Sequence, residues 1–228
     1  TPEAGHANAG LAHGAPGPLA LFALAWERGV AVPGQEAAMR TLAGWLTGIA
    51  AHDERGARWP RALALDPAGG TSAVTDGAPD RPAWCYGAVG VCRALYLAGR
   101  ALDMAEWRST ALAGLRSALD RARAEEDGGS TDPGLCHGWG GTLQVTWRMA
   151  DDSGDPWLRG ALPWLARRAL AWSAPEEPFG LRPPRPVHGL TADRAGFLTG
   201  AAGTALALRT FATDTAPATG WDRALLIA

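Results

Sequence analysis

Four stretches of the chain are apolar almost all round, and each is headed by a glycine pair of the form Gly-x-x-Gly. The pairs are Gly14 and Gly17, Gly87 and Gly90, Gly138 and Gly141, and Gly200 and Gly203. Their first glycines are 73, 51 and 62 residues apart, and the extra residues fall in polar, Gly- or Pro-rich sequence. Between them lie three segments of a second kind: Gln35 to Ala51, Met104 to Glu126 and Pro156 to Trp172. In these, apolar residues recur at three- and four-residue steps with arginines between them. Trp107, Ala111, Gly114, Leu115 and Ala118 share one face of the second segment, the pattern of an amphipathic helix. The glycine-headed helices, being more uniformly apolar, are expected to be more buried. The pattern therefore predicts an inner helix, a connection and an outer helix, repeated, in an all-α architecture. Glycine at each head lets backbones approach closely and admits positive φ in the entering turn. No run alternates well enough to predict a strand, beyond a short extended piece around Val74.

With 228 residues the chain is long enough for one domain or two small ones. Its 47% hydrophobic content, 19% charged content and net charge of −2 exclude a disordered acidic or basic tail. They also supply none of the basic excess that attracts nucleic acid or an anionic membrane. No segment has eighteen uninterrupted apolar residues, so no membrane span is expected. Thr1 to Gly10 lacks the layout of a secretory signal. Cys85, Cys92 and Cys136 make an odd count, which argues against a disulfide framework and for reduced thiols in a cytoplasmic protein. The proline-rich stretch from Ser173 to Pro186 reads as a rigid loop within the domain rather than an SH3-type ligand.

The candidate chemistry sits at the helix heads. Cys85 precedes Tyr86-Gly87, Cys136 and His137 precede Gly138, and His13 precedes Gly14; Leu198-Thr199 holds the same place in the fourth repeat. If consecutive inner helices converge, these side chains meet. Cys85, Cys136 and His137 would form a good zinc site, with thiolate and imidazole ligands and an open fourth position. The plainer reading is two buried thiols and a satisfied histidine. Cys92 lies two helical turns, roughly 10 Å, beyond Cys85, and is expected to be a small buried hydrophobe. His13 is either a fourth ligand or a general acid or base beside an open site. Arg81, by spacing alone, is a surface charge. His6, His52 and His188 are expected in loops or on the surface, and Trp84 and Trp139 at a cavity mouth.

GLAHGAPG, WCYGAVG, GLCHGWGG and GFLTGAAGTALAL, in that order, resemble the lanthionine synthetase C-like family, the cyclases that form thioether rings in lanthipeptides. The resemblance runs from about Asn8 to the end. It implies an α/α toroid of inner and outer helices, of which residues 1–228 are a single domain holding the last four of seven repeats, the C-terminal portion of a longer toroid. It implies one zinc per chain, held by Cys85, Cys136 and His137. It implies that His13 is the acid–base histidine and that Arg81 faces the active site.

The implied substrate is a dehydrated precursor peptide, whose cysteine thiolate adds to dehydroalanine or dehydrobutyrine. The implied partners are a lanthipeptide dehydratase or the missing N-terminal repeats. Pro16 and Gly140 stand where the family usually has alanine, and a family aspartate has no matching position. An open toroid would expose apolar helix faces, so its edge is expected to be covered.

Two other readings are a non-catalytic zinc-containing peptide-binding module and an enzyme adding a thiol to another electrophile. A glycosidase would need paired carboxylates in the cavity, whereas Glu125, Glu126, Asp151 and Asp152 cluster in connecting segments. The closing GWDRALLIA reads as a natural C-terminus on an outer helix.

Overall fold

The computed structural model describes residues 5–65, 71–73, 82–125, 132–182 and 195–228. Its helices are α1 (Pro16–Glu27), α2 (Gln35–Gly48), α3 (Ala88–Ala101), α4 (Ala105–Ala124), α5 (Trp139–Ser153), α6 (Pro156–Leu170) and α7 (Ala201–Thr213). The odd-numbered helices are the glycine-headed ones, and each packs on the next: α1 on α3, α3 on α5, α5 on α7. The even-numbered ones lie outside them, α2 on α1 and α3, α4 on α3, and α6 on α5 and α7. Both helix types appear where the periodicity predicts them.

Burial follows the same division. Every residue of α3 from Ala88 to Gly99 is buried, as is every residue of α5 from Trp139 to Trp147. By contrast α4 buries only one face, including Trp107, Ala111, Gly114 and Leu115, while Ala118 is partly buried against the core. Helix α6 starts sharply because Pro156 opens it and Asp155 caps it, accepting from the backbone N–H groups of Trp157 at 2.9 Å and Leu158 at 3.1 Å. Helices α1 and α7 share no substantial contact among the described residues, so the four inner helices form an open arc. Leu21, on α1, is 50% exposed.

Short strands join the repeats: β1 (His6–Asn8), β2 (Ala51–Asp53), β3 (Gly56–Arg58), β4 (Ala62–Leu65) and β5 (Thr71–Ala73). Strand β4 pairs antiparallel with β1 and β5, and β2 with β3. Only the extended piece near Val74 was legible, as β5; Val74 itself lies outside the described residues. Strands of three or four residues are too short to show alternation. The β2–β3 hairpin is held by α4 as well as by its own pairing. Ser117 donates to the Arg55 carbonyl, and Arg121 Nη2 to the Gly56 carbonyl at 2.9 Å.

The C-terminal segment is not on an outer helix. Trp221–Leu225 forms a 3-10 turn, and the segment lies against the inner helices with Asp222, Leu225 and Ile227 buried. Trp84 Nε1 donates to the Leu225 carbonyl and Arg93 Nε to the Ile227 carbonyl, both at 2.8 Å. Asp222 accepts from Gln144 and, through both oxygens, from Arg148. A five-residue turn bounded by left-handed Gly220 and Leu226 is too short to span an outer layer, but it can fill the inside of the arc.

Candidate metal centre

The loops entering the inner helices are tied to one another through their backbones. Ala12 N–H donates to the Cys85 carbonyl at 3.3 Å, Cys85 N–H to the Cys136 carbonyl at 3.1 Å, and Cys136 N–H to the Leu198 carbonyl at 2.8 Å. These four residues each stand two places before the first glycine of their repeat. The ladder turns a sequence equivalence into adjacency, and brings the residues at the heads of neighbouring helices to one place.

Glycine is required there by contact. A Cβ on Gly17, Gly90, Gly141 or Gly203 would run into the carbonyl oxygen six residues earlier, that of Leu11, Trp84, Leu135 or Phe197. The entering loop folds back over the helix end, leaving no room for a side chain. It also satisfies the free N–H groups of the first turn. In α5, Trp139, Gly140 and Gly141 donate to the carbonyls of Asp132, Pro133 and Gly134 at 3.0 to 3.2 Å. None of the four inner heads uses a side-chain cap. Thr142 and Thr204 reach back one repeat, donating to the Pro82 and Pro133 carbonyls at 2.6 and 3.0 Å.

At the centre of this ladder the sulfurs of Cys85 and Cys136 and a ring nitrogen of His137 all lie within 4.8 Å of one another. Cys85 is buried; Cys136 and His137 are half-buried. The Cys136 thiol, donating to the Cys85 sulfur, pulls the Cys85 pKa down to about 5 with help from His137, against burial that pushes it up. The bond to Cys85, together with burial, drives the Cys136 thiol strongly upward. The pair thus shares one proton over a wide range. A thiolate, a second thiol and an imidazole converging in a partly enclosed place suit a soft, tetrahedral cation such as zinc. Cys92 is wholly buried and its thiol is pushed up by that burial, as expected of a packed hydrophobe.

His13 is exposed on the neighbouring head loop. Its ring centroid is 6.1 Å from that of Tyr86, the residue after Cys85, and it is not part of the cluster of three. The Tyr86 hydroxyl accepts from Asn8 Nδ2 at 3.1 Å, and the Arg61 guanidinium lies 5.2 Å from its ring centre. A groove of about 1030 Å³ opens beside His13, lined also by Leu11, Leu21, Phe22, Leu42 and Trp45 on the α1–α2 side. Arg81 and His188 lie outside the described residues. His6 and His52 are exposed on strands.

Trp84 and Trp139 do not line a cavity mouth. Both are buried, Trp84 against the C-terminal segment and Trp139 edge-on to Trp164 of α6, with centroids 5.4 Å apart. Trp84 turns to the C-terminal segment inside the arc and Trp139 to the outer layer, while Cys85, Cys136 and His137 form the cluster.

Sequence reasoning missed Asn8, Tyr86 and Asp132. A signal for two of them exists. Asn8, Arg81, Asp132 and Arg194 each stand six residues before the first glycine of their repeat, a polar residue at one register position in all four. In the first and third repeats this residue closes the same small turn: Asn8 Oδ1 accepts from Gly10 N–H at 2.8 Å, and Asp132 Oδ1 from Gly134 N–H at 2.6 Å.

No curated protein sequence matches the chain significantly. Among solved structures, nisin cyclase superposes with a TM-score of 0.76 over 98% of this chain at 22% identity, a likeness of fold. The match takes in 50% of that protein, so this chain spans about half its length. The sequence profile of the family described as "Lanthionine synthetase C-like protein" matches residues 1–226. With nearly every residue inside that match, the chain belongs to the lanthionine synthetase C-like family.

Proposed function

We propose that this chain is the C-terminal part of a zinc-dependent lanthipeptide cyclase, residues 1–228 forming one domain with the last four helix repeats. The observation that carries the reading is the meeting of Cys85, Cys136 and His137 within 4.8 Å at the heads of two adjacent inner helices. Three protein ligands leave one position for substrate, as a catalytic zinc site requires. When bound, zinc supplies Lewis acidity that lowers the pKa of a thiol placed at that position. Three free cysteines suit a reducing cytoplasm, and no helix among the described residues is long and apolar enough to cross a membrane.

The reaction joins the sulfur of a substrate cysteine to the β-carbon of dehydroalanine or dehydrobutyrine. The thiolate forms the C–S bond while the alkene π pair moves toward the neighbouring carbonyl as an enolate. His13, as imidazolium, returns a proton to the α-carbon, which balances the proton lost by the thiol. Its position on the adjacent head loop, outside the cluster of three, supports an acid–base role over that of a fourth ligand. Arg81, at the family's arginine position, stabilises the enolate charge. The product is an isomer of the substrate, a lanthionine or methyllanthionine ring, and no redox cofactor is consumed.

The open α1 face, with Leu21 exposed beside the groove, supports a covered edge, occupied by the preceding repeats or by a dehydratase partner. A stable, soluble monomer of this chain on gel filtration at low concentration overturns that. The half-length match favours one second reading, a zinc-containing module that binds peptide without turning it over.

Free thiols counted on a dehydrated precursor peptide separate the two. N-ethylmaleimide labels each cysteine that remains open, and loss of adducts beyond the enzyme-free control, abolished in Cys136→Ala, marks a cyclase. Full labelling with zinc bound marks the binding module. A thiol consumed by this chain when the dehydrated peptide is replaced by another electrophile marks addition to a different electrophile.

A further inference from the structure

Asp132 is almost wholly buried at the mouth of the third head loop, and its Oδ2 lies 3.6 Å from His137 Nε2. Its other oxygen is fixed by the Gly134 N–H at 2.6 Å, and its carbonyl accepts from Trp139 N–H at 3.0 Å. Asp132 is therefore held at both ends of the loop that carries Cys136 and His137, by its side chain at Gly134 and by its backbone at Trp139. Neither its burial nor its direction is needed for the turn alone. The first repeat makes the same turn with Asn8, an uncharged amide whose nitrogen serves the Tyr86 hydroxyl. The acid stands where the neighbouring imidazole belongs to the cluster with Cys85 and Cys136, and the amide where it does not.

We infer that Asp132 is a positioning residue for the metal centre. Its carboxylate accepts the Nε2–H of His137, fixing the tautomer and the ring so that Nδ1 is the nitrogen that ligates. A metal-bound imidazole commonly hands its other N–H to a carboxylate, and loss of such a partner lowers metal affinity about 10- to 100-fold. At 3.6 Å the contact is longer than a hydrogen bond, so the ring and the carboxylate must close by about 0.5 Å when a cation is bound. The inference rests on the zinc reading of the cluster.

The test is zinc affinity of this chain, measured by competition with a chromophoric chelator. Asp132→Asn preserves the turn to Gly134 but sets an N–H against Nε2, which favours the wrong tautomer. The expected result is a fall in affinity of about 10- to 100-fold, with the melting temperature in chelator unchanged. In a His137→Ala background the same change is expected to move affinity less than twofold. Equal affinity in Asp132→Asn, or an equal fall in the His137→Ala background, overturns the inference.

Nitrogen-15 spectra of the histidine rings in the unmutated, cadmium-loaded chain give a second answer that does not depend on a variant folding. Cadmium coupling at Nδ1 with a proton on Nε2 supports the inference, and coupling at Nε2 overturns it. The zinc reading fails separately, if the unmutated chain binds no zinc or if Cys136→Ala leaves its affinity unchanged; the inference then falls with it.

Discussion

The two ends of the inner helices are built on opposite principles. At the head end, backbone bonds to backbone, from Ala12 through Cys85 and Cys136 to Leu198, and glycine is needed because a carbonyl oxygen occupies the space of a side chain. At the far end, charged side chains do the joining. Arg93 and Arg100 both contact Asp152, at 2.6 and 2.7 Å, Arg100 also reaches Glu27, and Arg148 grips Asp222 with two bonds. A cavity of about 610 Å³ lies among them, lined by Arg28, Arg93, Arg100, Arg148 and Arg223. The difference teaches where precision and where strength reside. Backbone contacts fix the thiol positions with little tolerance for a larger residue. Buried ion pairs fix the C-terminal segment but leave a large penalty if one partner is removed.

The largest expected effect is therefore at the charged end. Asp222→Ala leaves the Arg148 guanidinium and the Gln144 amide without their shared acceptor, next to a carboxylate site with no exposure. Urea denaturation is expected to show a loss of about 3–5 kcal/mol. A loss below about 1 kcal/mol would mean that water replaces the carboxylate and that this end is not charge-clamped.

Gly141→Ala tests the head end. Its new methyl meets the Leu135 carbonyl, which belongs to backbone and cannot swing away. A cost of about 1–3 kcal/mol is expected by the same measurement, together with weaker zinc binding, since Leu135 adjoins Cys136.

The shared proton of the thiol pair gives a third test, in metal-free protein. Iodoacetamide alkylation of Cys85 is expected to stay fast down to about pH 5 and fall below it, while Cys92 stays unreactive. Cys136→Ala removes the thiol donor and moves the midpoint up. The sign for stability follows from the direction of each shift. Between pH 5 and the ordinary thiol value of 9.0 the unfolded chain holds a proton at Cys85 that the folded one has released, so the pair's contribution rises with pH. Above that value the raised Cys136 keeps a proton that the unfolded chain sheds, and the contribution declines. A fixed midpoint in Cys136→Ala would show that the two thiols do not share a proton.

The smallest effect is a control on the glycine argument. Gly160 lies within α6 on an exposed face, with nothing within 4 Å of a new methyl. Gly160→Ala is expected to stabilise by about 0.5–1 kcal/mol, the opposite sign to Gly141→Ala.

Much of the site was legible as a set of residues and little of it as geometry. Cys85 and Cys136 stand two places before the first glycine of their pairs, with His137 one place before, and the register of the two cysteines reappears as the backbone ladder. Asp132 was overlooked because its signal is a polar residue of varying type, Asn, Arg, Asp or Arg, whose meaning depends on what the loop brings near it. Trp84 and Trp139 were misplaced because adjacency in sequence to a site residue does not give direction. Trp84 turns toward Leu225 and Trp139 toward Trp164.

The sequence by itself determined the alternation of all-round apolar and one-faced helices, because helical periodicity is a local property carried by residues three and four apart. It also determined which heads bear thiols and imidazoles. Only the tertiary structure decided that those heads meet, that the C-terminal segment fills the inside of the arc, and that the β2–β3 hairpin docks on α4. Each of these rests on hydrogen bonds between residues far apart in the chain, such as Cys136 N–H to Leu198 and Arg93 to Ile227, whose partners no local pattern names.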